Sequence, residues 1–249
     1  MRTIYNNLID ANTIAASTAD ADYPVDNLQG IHLTSVWRTT AVTAQSIVVN
    51  AGTGNVMSAN CIVIAAHNLS GSASISIQGN TADTWATPGA SAAATQRDGI
   101  IVYYFSADWS FQYYRYLIDD QTNTDGYIEI GRISLAEYME FDPNSLSNFV
   151  IENVRTDRVA DTITNQMYAD EGVGYRTFEY RFPHTSFTNF DKVRTLWDTV
   201  GRHKPFFFMN FTSRFTEIEP AYVRLEDDLK EKINPNLFWE YSLTMRETG

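Results

Sequence analysis

Three aspartates and an asparagine gather between Asp119 and Ile130, in DDQTNTDGYIEI, and carboxylate oxygens at that density are what a calcium ion takes as ligands. Placing Asp125-Gly126 at the fifth and sixth positions of an EF-hand loop puts Gln121 first and Arg132 last, where a bidentate glutamate is required, so that register fails. Two readings remain. One is a hairpin loop in which Asp125-Gly126 supplies the positive-φ turn; the other is a calcium site of a different kind, built from Asp119, Asp120 and Asp125. The histidines, His32, His67, His184 and His203, are not spaced as a zinc pair would be. The sequence has no HExxH, CxxC, GxSxG or P-loop, so no catalytic residue is assigned and no cofactor is expected. The run EDDLKEK at 226–232 reads as a solvated turn, and the single cysteine, Cys61 in CIVIA, as a small buried hydrophobe.

Aromatic side chains are a second source of chemistry, because their faces can stack on sugar rings. The chain has 14 Tyr, 14 Phe and 5 Trp, and most fall on alternating positions of strand-like runs, which assigns them to a core. Trp85 in ADTWATP and Trp109 in SADWSF lie in loop-like contexts, and these two are the expected exposed aromatic contacts and candidate glycan-binding residues.

The elements that would position such groups are mainly strands. SIVVN, CIVIAA, GIIVYYF, YYRYLI and YIEIGRISL are rich in β-branched and aromatic residues, and Ser74-Ile75-Ser76-Ile77-Gln78 alternates with period two. Turn sequences such as GTGN, NLSGS and DDQTNTDG separate them, so an antiparallel jelly-roll β-sandwich is expected over 1–142. The stretch DTWATPGASAAATQR, small and polar with Pro and Gly, reads as an extended surface loop. Around MEFDPNSLSN the pattern breaks, and Pro143 with its neighbours marks a linker to a second domain over 143–249.

That domain has a different grammar. YRTFEYRF alternates as a strand, and Phe187, Phe190, Val193, Leu196, Trp197 and Val200 recur at spacings of three and four, the mark of an amphipathic helix over 188–200 with Thr188 as N-cap and Gly201 closing it. FFFM, AYVRL and the alternating LFWEYSLTMRE supply further strands. The expectation is a small β-sandwich or sheet with one helix packed on it.

Charge narrows the partners. The net charge is −12; 1–142 has five arginines, no lysine and fourteen acidic residues, whereas 143–249 has thirteen basic against sixteen acidic. Such a surface repels phosphate backbones and anionic lipid, so nucleic-acid and membrane partners are not expected and a protein partner is. The beginning MRTIYNNLIDANT lacks a signal-peptide pattern, which points to synthesis in a cytoplasm.

In YPVDNLQGIHLTSVWR, Pro24 fixes its own φ and Asn27 can cap a turn, so this reads as a pinned loop feeding a strand whose tryptophan fills the end of a sandwich. Together with SIVVNAG, CIVIAAHNLSGSASISIQGN and YYRYLIDD…GYIEIGRISL, it resembles the discoidin-type (galactose-binding-like) jelly roll in the version carried by structural proteins of tailed bacteriophages. FEYRFPHTSFTNFDKVRTLWDTVGRHKPFFFMNF is similar to the strand–helix–strand β-sandwich of phage tail-tube, distal-tail and minor tail proteins. The joint resemblance implies a non-enzymatic component of a virion tail or baseplate, assembled in the host cytoplasm with other tail proteins. It also implies a homo-oligomeric ring, hexamer or trimer. The alternative is a carbohydrate-binding adhesin module contacting host-surface glycans; discoidin relatives that bind sugar use loops at one end of the barrel, and no residue maps onto such a site.

Overall fold

The computed structural model describes residues 1–142, 149–161, 167–210, 219–233 and 238–248, with the backbone alone described over 159–161 and 167–169. The protein is mainly β, and its chain contacts divide it into two units, Asn6–Tyr138 and Met1–Tyr5 with Met139–Thr248. Among the described residues no helix is long and apolar enough to cross a membrane.

Strand β1 (Arg2–Ile4) belongs to the second of these units. The Asn6–Tyr138 unit is made of β2 (Thr13–Ala16), β3 (Trp37–Arg38), β4 (Gln45–Asn50), β5 (Met57–His67), β6 (Ser74–Asn80), β7 (Ala90–Ala94), β8 (Ile101–Phe111), β9 (Tyr113–Asp119) and β10 (Glu129–Ala136). They pair antiparallel in two sheets, one of order β2-β4-β9-β6-β7 and one of order β3-β10-β5-β8. Alternation decides the faces of the first sheet: Ile47 and Val49, Ile75 and Ile77, and Tyr114 and Tyr116 are buried, while their neighbours along each strand are not. In the second sheet Cys61 through Ala65 are all buried, the pattern of a strand covered on both faces. Its neighbour β10 is covered by two 3₁₀ turns, Leu8–Ala11 and Val25–Gln29, which bury Ile9 and Leu28.

The YPVDNLQG…VWR stretch proves architectural. Pro24 precedes the second 3₁₀ turn, and Asn27 Nδ2 donates to the Val36 carbonyl at 2.8 Å, so its amide nitrogen rather than its oxygen does the pinning. Trp37 is fully buried and its indole N–H donates to the Thr18 carbonyl at 3.1 Å; burying an aromatic of this size is worth about 1.5–3 kcal/mol. Arg38 lies between the rings of Tyr23 and Tyr127, 3.9 and 4.3 Å from their centroids, and pairs with Glu129 at 2.6 Å.

The 83–97 stretch departs from the loop expected there. Ala90–Ala94 form β7 and pair with β6 in the register Ile77↔Ala92. The strand reads Ala-Ser-Ala-Ala-Ala, with alanine on both faces, so the period of two in its exposure leaves no trace in the sequence. Phe111 holds this corner: a Cβ on Gly79 would lie 2.3 Å from its ring, and one on Gly89 would lie 2.8 Å from it.

The other unit adds β11 (Met139–Glu140), β12 (Phe149–Arg155), β13 (Arg158–Asp161), β14 (Met167–Asp170), β15 (Gly174–Thr185), α1 (Phe187–Val200), β16 (Phe206–Met209), β17 (Ala221–Leu225), β18 (Lys230–Ile233) and β19 (Trp239–Glu247). Among the described residues eight strands form one sheet, β11-β1-β16-β17-β19-β15-β12, with β18 also on β19. Thus 1–5 and 139–142, assigned by sequence to the first domain, pair here: Thr3 lies opposite both Met139 and Phe208. The linker expected at Pro143 falls outside the described residues. Helix α1 begins at Phe187, and the cap is Ser186, whose hydroxyl accepts from Asn189 N, rather than Thr188. Phe190, Val193, Leu196 and Val200 enter a core with Phe178, Tyr180, Phe182 and Phe208, and Gly201 closes the helix at φ +51°.

Candidate functional site

The acidic loop does not gather into a cation site. Asp120 is 1% exposed and is consumed by the fold: it accepts from Ser70 N at 2.8 Å, from Ser70 Oγ, and from Asn123 Nδ2 at 3.1 Å. Asp119 accepts from Gln121, and Asp125 from Asn68 at 2.9 Å. Each carboxylate faces a different partner, and among the described residues no group of three or more His, Cys, Asp or Glu side chains stands ready to hold a metal. Gly126 does take the positive φ, +79°, that the hairpin reading requires.

Trp109 sits in strand β8, not in a loop. Its ring stacks on Phe105 with centroids 4.0 Å apart and planes 14° from parallel, and its carbonyl lies 2.9 Å from the Tyr114 hydroxyl. A register shift between Ala59 and Cys61 interrupts the β5–β8 pairing beside it, which is why SADWSF reads as irregular. The ring is half-buried against the sandwich core.

Trp85 is in the β6–β7 connection as expected, half-buried rather than exposed. Its indole N–H donates to Asp83 Oδ1 at 2.7 Å, and the Arg115 guanidinium lies 4.7 Å from its ring centroid. Arg115 projects from the outward side of β9 and its Nε donates to Gln78 Oε1 at 2.9 Å on β6, so the cation is held flat against the sheet. The connection itself is tied down by Asn80, whose side chain donates to the Thr84 carbonyl, and by Phe111 under Gly79 and Gly89.

Beside this cluster the outer face of the sheet changes height. On β2 and β4 the outward positions are small, Thr13, Ala15, Ser46 and Val48, with Asn50 at the strand end. On β9, the next strand, they become Tyr113, Arg115 and Leu117. The step leaves a trough of about 280 Å³ along β2 and β4, with Tyr113 and Asp83 among its walls. Asp83 is the one carboxylate among the lining residues, and the lining is otherwise hydroxyls, an amide and small apolar groups. Arg115, Gln78, Tyr113 and Asp83 escape sequence reasoning. The one trace is the alternation in YYRYLI, which places Tyr113, Arg115 and Leu117 on a single face.

No family model matches the chain, and no curated protein matches it. Solved structures do resemble it in fold. The family 32 CBM from C. perfringens NanJ, in complex with galactose, is 14% identical with a TM-score of 0.42, covering 56% of this chain and 100% of that one. A Streptococcus pneumoniae fucose binding module is 11% identical with a TM-score of 0.42 and covers 53% and 95%. Chitosan-binding module 1 from a Paenibacillus sp. IK-5 chitosanase/glucanase is 18% identical with a TM-score of 0.40 and covers 52% and 98%.

Proposed function

We propose that this chain is a non-enzymatic structural component of a tailed-phage virion, a minor tail, distal-tail or baseplate protein. The Met139–Thr248 unit with Met1–Tyr5 assembles, and Asn6–Tyr138 decorates the assembly. The observation that carries this reading is the arm made by β12 to β15. Its strands pair from Phe149↔Tyr180 to Arg155↔Gly174 at the edge of the sheet, and the pairing resumes as β13 and β14, Arg158↔Asp170 to Asp161↔Met167. Among the described residues that last ribbon has no third strand, and a two-stranded ribbon alone in water is marginal. The joint is built rather than frayed: Asp157 accepts from Gly172 N at 2.7 Å and pairs with Arg155. Val173 at the joint and Val150 further along β12 are 78% and 58% exposed. Open strand edges with exposed valines favour strand pairing between copies, and closed symmetry turns such pairing into a ring. The test is native mass by light scattering with electron microscopy, on the full chain and on a variant in which 156–173 is replaced by a two-residue Asn-Gly turn. A trimer or hexamer that becomes a folded monomer on truncation supports the proposal. Equal monomer masses at every concentration overturn it.

A second reading, a carbohydrate-binding module contacting host-surface glycans, is favoured by the trough beside Trp85, where an aromatic ring, hydroxyls and one carboxylate converge. It is tested by glycan binding of the wild type and of Trp85→Ala. Loss of binding on that substitution supports it, and a wild type that binds no glycan removes it.

A further inference from the structure

We infer that the trough along β2 and β4 is a binding site for a neutral saccharide, read by side chains on the face of the sheet rather than by loops at the end of the sandwich. The inference rests on the carbohydrate-binding reading and gives it a location and a ligand class.

Three features of the trough converge. Its floor is built from the small outward residues Ala15, Ser46 and Val48, which register places side by side: Ala15 lies opposite Val48, and Val48 opposite Arg115. That leaves a strip of C–H surface between strands, suited to the apolar face of a pyranose, with Tyr113 rising at one side as an aromatic wall. Three of its hydroxyls are free to serve a ligand, since among the described residues the fold makes no hydrogen bond with those of Thr13, Ser46 or Tyr113, whereas Ser17, Asn50 and Asp83 already hold partners within the fold. A few polar groups placed on a mostly apolar, preformed surface are what fix the orientation of a small ligand.

The charge arrangement selects the ligand class. Asp83 brings a negative charge to the wall, and Arg115 is occupied by Gln78 and by the face of Trp85. The unit around it, Asn6–Tyr138, has four arginines and no lysine against twelve acidic residues. An acidic sugar would therefore meet the Asp83 carboxylate with no cation among the lining residues, while a neutral sugar offers hydroxyls to Asp83 and takes hydrogen bonds from the trough's own hydroxyls. Asp83 has a second task, because its hydrogen bond to the Trp85 indole holds the ring where it caps the Arg115 cation.

The test uses the full chain on an array of neutral oligosaccharides with their sialylated counterparts, followed by titration calorimetry. Three variants are compared: Ala15→Trp fills the trough from an exposed position, Tyr113→Ala removes the wall, and Ser91→Trp adds the same bulk on the far strand of the same sheet. Near-ultraviolet circular dichroism confirms that each variant is folded. Neutral glycans are expected to bind. Ala15→Trp and Tyr113→Ala should each weaken them by roughly tenfold or more, the factor that about 1.4 kcal/mol carries, and Ser91→Trp should leave them unchanged. Neutral-glycan binding that is indifferent to Ala15→Trp overturns this site while leaving the carbohydrate reading intact. A preference for the sialylated glycans overturns the ligand class. No binding of any glycan removes the carbohydrate reading and the site with it.

Discussion

Arg132 and Asp10 meet across 122 residues of sequence: Arg132 Nη2 donates to Asp10 Oδ2 at 2.7 Å, with the arginine side chain only 4% exposed. The same guanidinium donates to the carbonyls of Leu28 and Gly30, so one fork on β10 fastens both 3₁₀ turns that cover that strand. Removing the arginine takes the cation from Asp10, which keeps Asn7 Nδ2 as a donor at 2.8 Å, and takes a donor from two carbonyls. Arg132→Ala should therefore cost about 3–5 kcal/mol in urea unfolding of this unit, whereas Asp10→Asn, which keeps an accepting oxygen, should cost clearly less. Equal, small losses for the two would show that the turns hold without the arginine.

Gly79 and Gly89 are fixed by one ring. A methyl group added at Gly79 would overlap Phe111 at 2.3 Å, so Gly79→Ala should destabilise the β6–β7 corner by about 1–3 kcal/mol. Combined with Phe111→Leu, its penalty should shrink, because the smaller side chain can give way. A double-mutant cycle in urea measures the coupling, and strict additivity would count against the packing described here.

His67 makes stability depend on pH. Burial lowers its imidazole below the ordinary 6.5, and Nδ1 accepts from Leu69 N at 3.2 Å, a role only the unprotonated nitrogen can fill. The folded state thus holds the proton more weakly than the unfolded state. Stability is complete above pH 6.5 and falls as pH drops from there through the folded-state value. Urea midpoints taken from about pH 7 down to 5 should decline in the wild type and decline less in His67→Gln; parallel curves would show that another group carries the dependence.

The helix cap separates two neighbouring hydroxyls. Ser186→Ala should cost about 1 kcal/mol, because the side-chain oxygen that accepts from Asn189 N is lost, while Thr188→Ala inside the first turn should change stability by less than about 0.5 kcal/mol. Thermal unfolding of the two variants decides which residue caps.

Much of the fold could be read from the chain because burial imposes a period. Phe178, Tyr180 and Phe182 alternate with charged neighbours, and Phe190, Val193 and Leu196 recur at helical spacing, so both announce their faces. Strand β7 gives no such signal, since alanine occupies both of its faces. Trp109 is misread because the register shift beside it breaks the local pattern. The trough is invisible for a different reason. Its lining draws on Thr13, Ser46, Asp83 and Tyr113, which the fold makes neighbours while the chain keeps them dozens of residues apart. Composition can nominate an aromatic such as Trp85, but only the β2-β4-β9 adjacency shows what stands next to it.

The pairing of Thr3 with Phe208 also has a consequence for synthesis on the ribosome. At about 5–20 residues per second, β16 leaves the peptidyl-transferase centre roughly 10–40 s after β1, and β11 reaches β1 first with only two residues of pairing. Asn6–Tyr138 contains all of its own strands and can fold while the ribosome is still making the rest. Strand β1 is thus made before that unit and completes its pairing only after the unit can have folded.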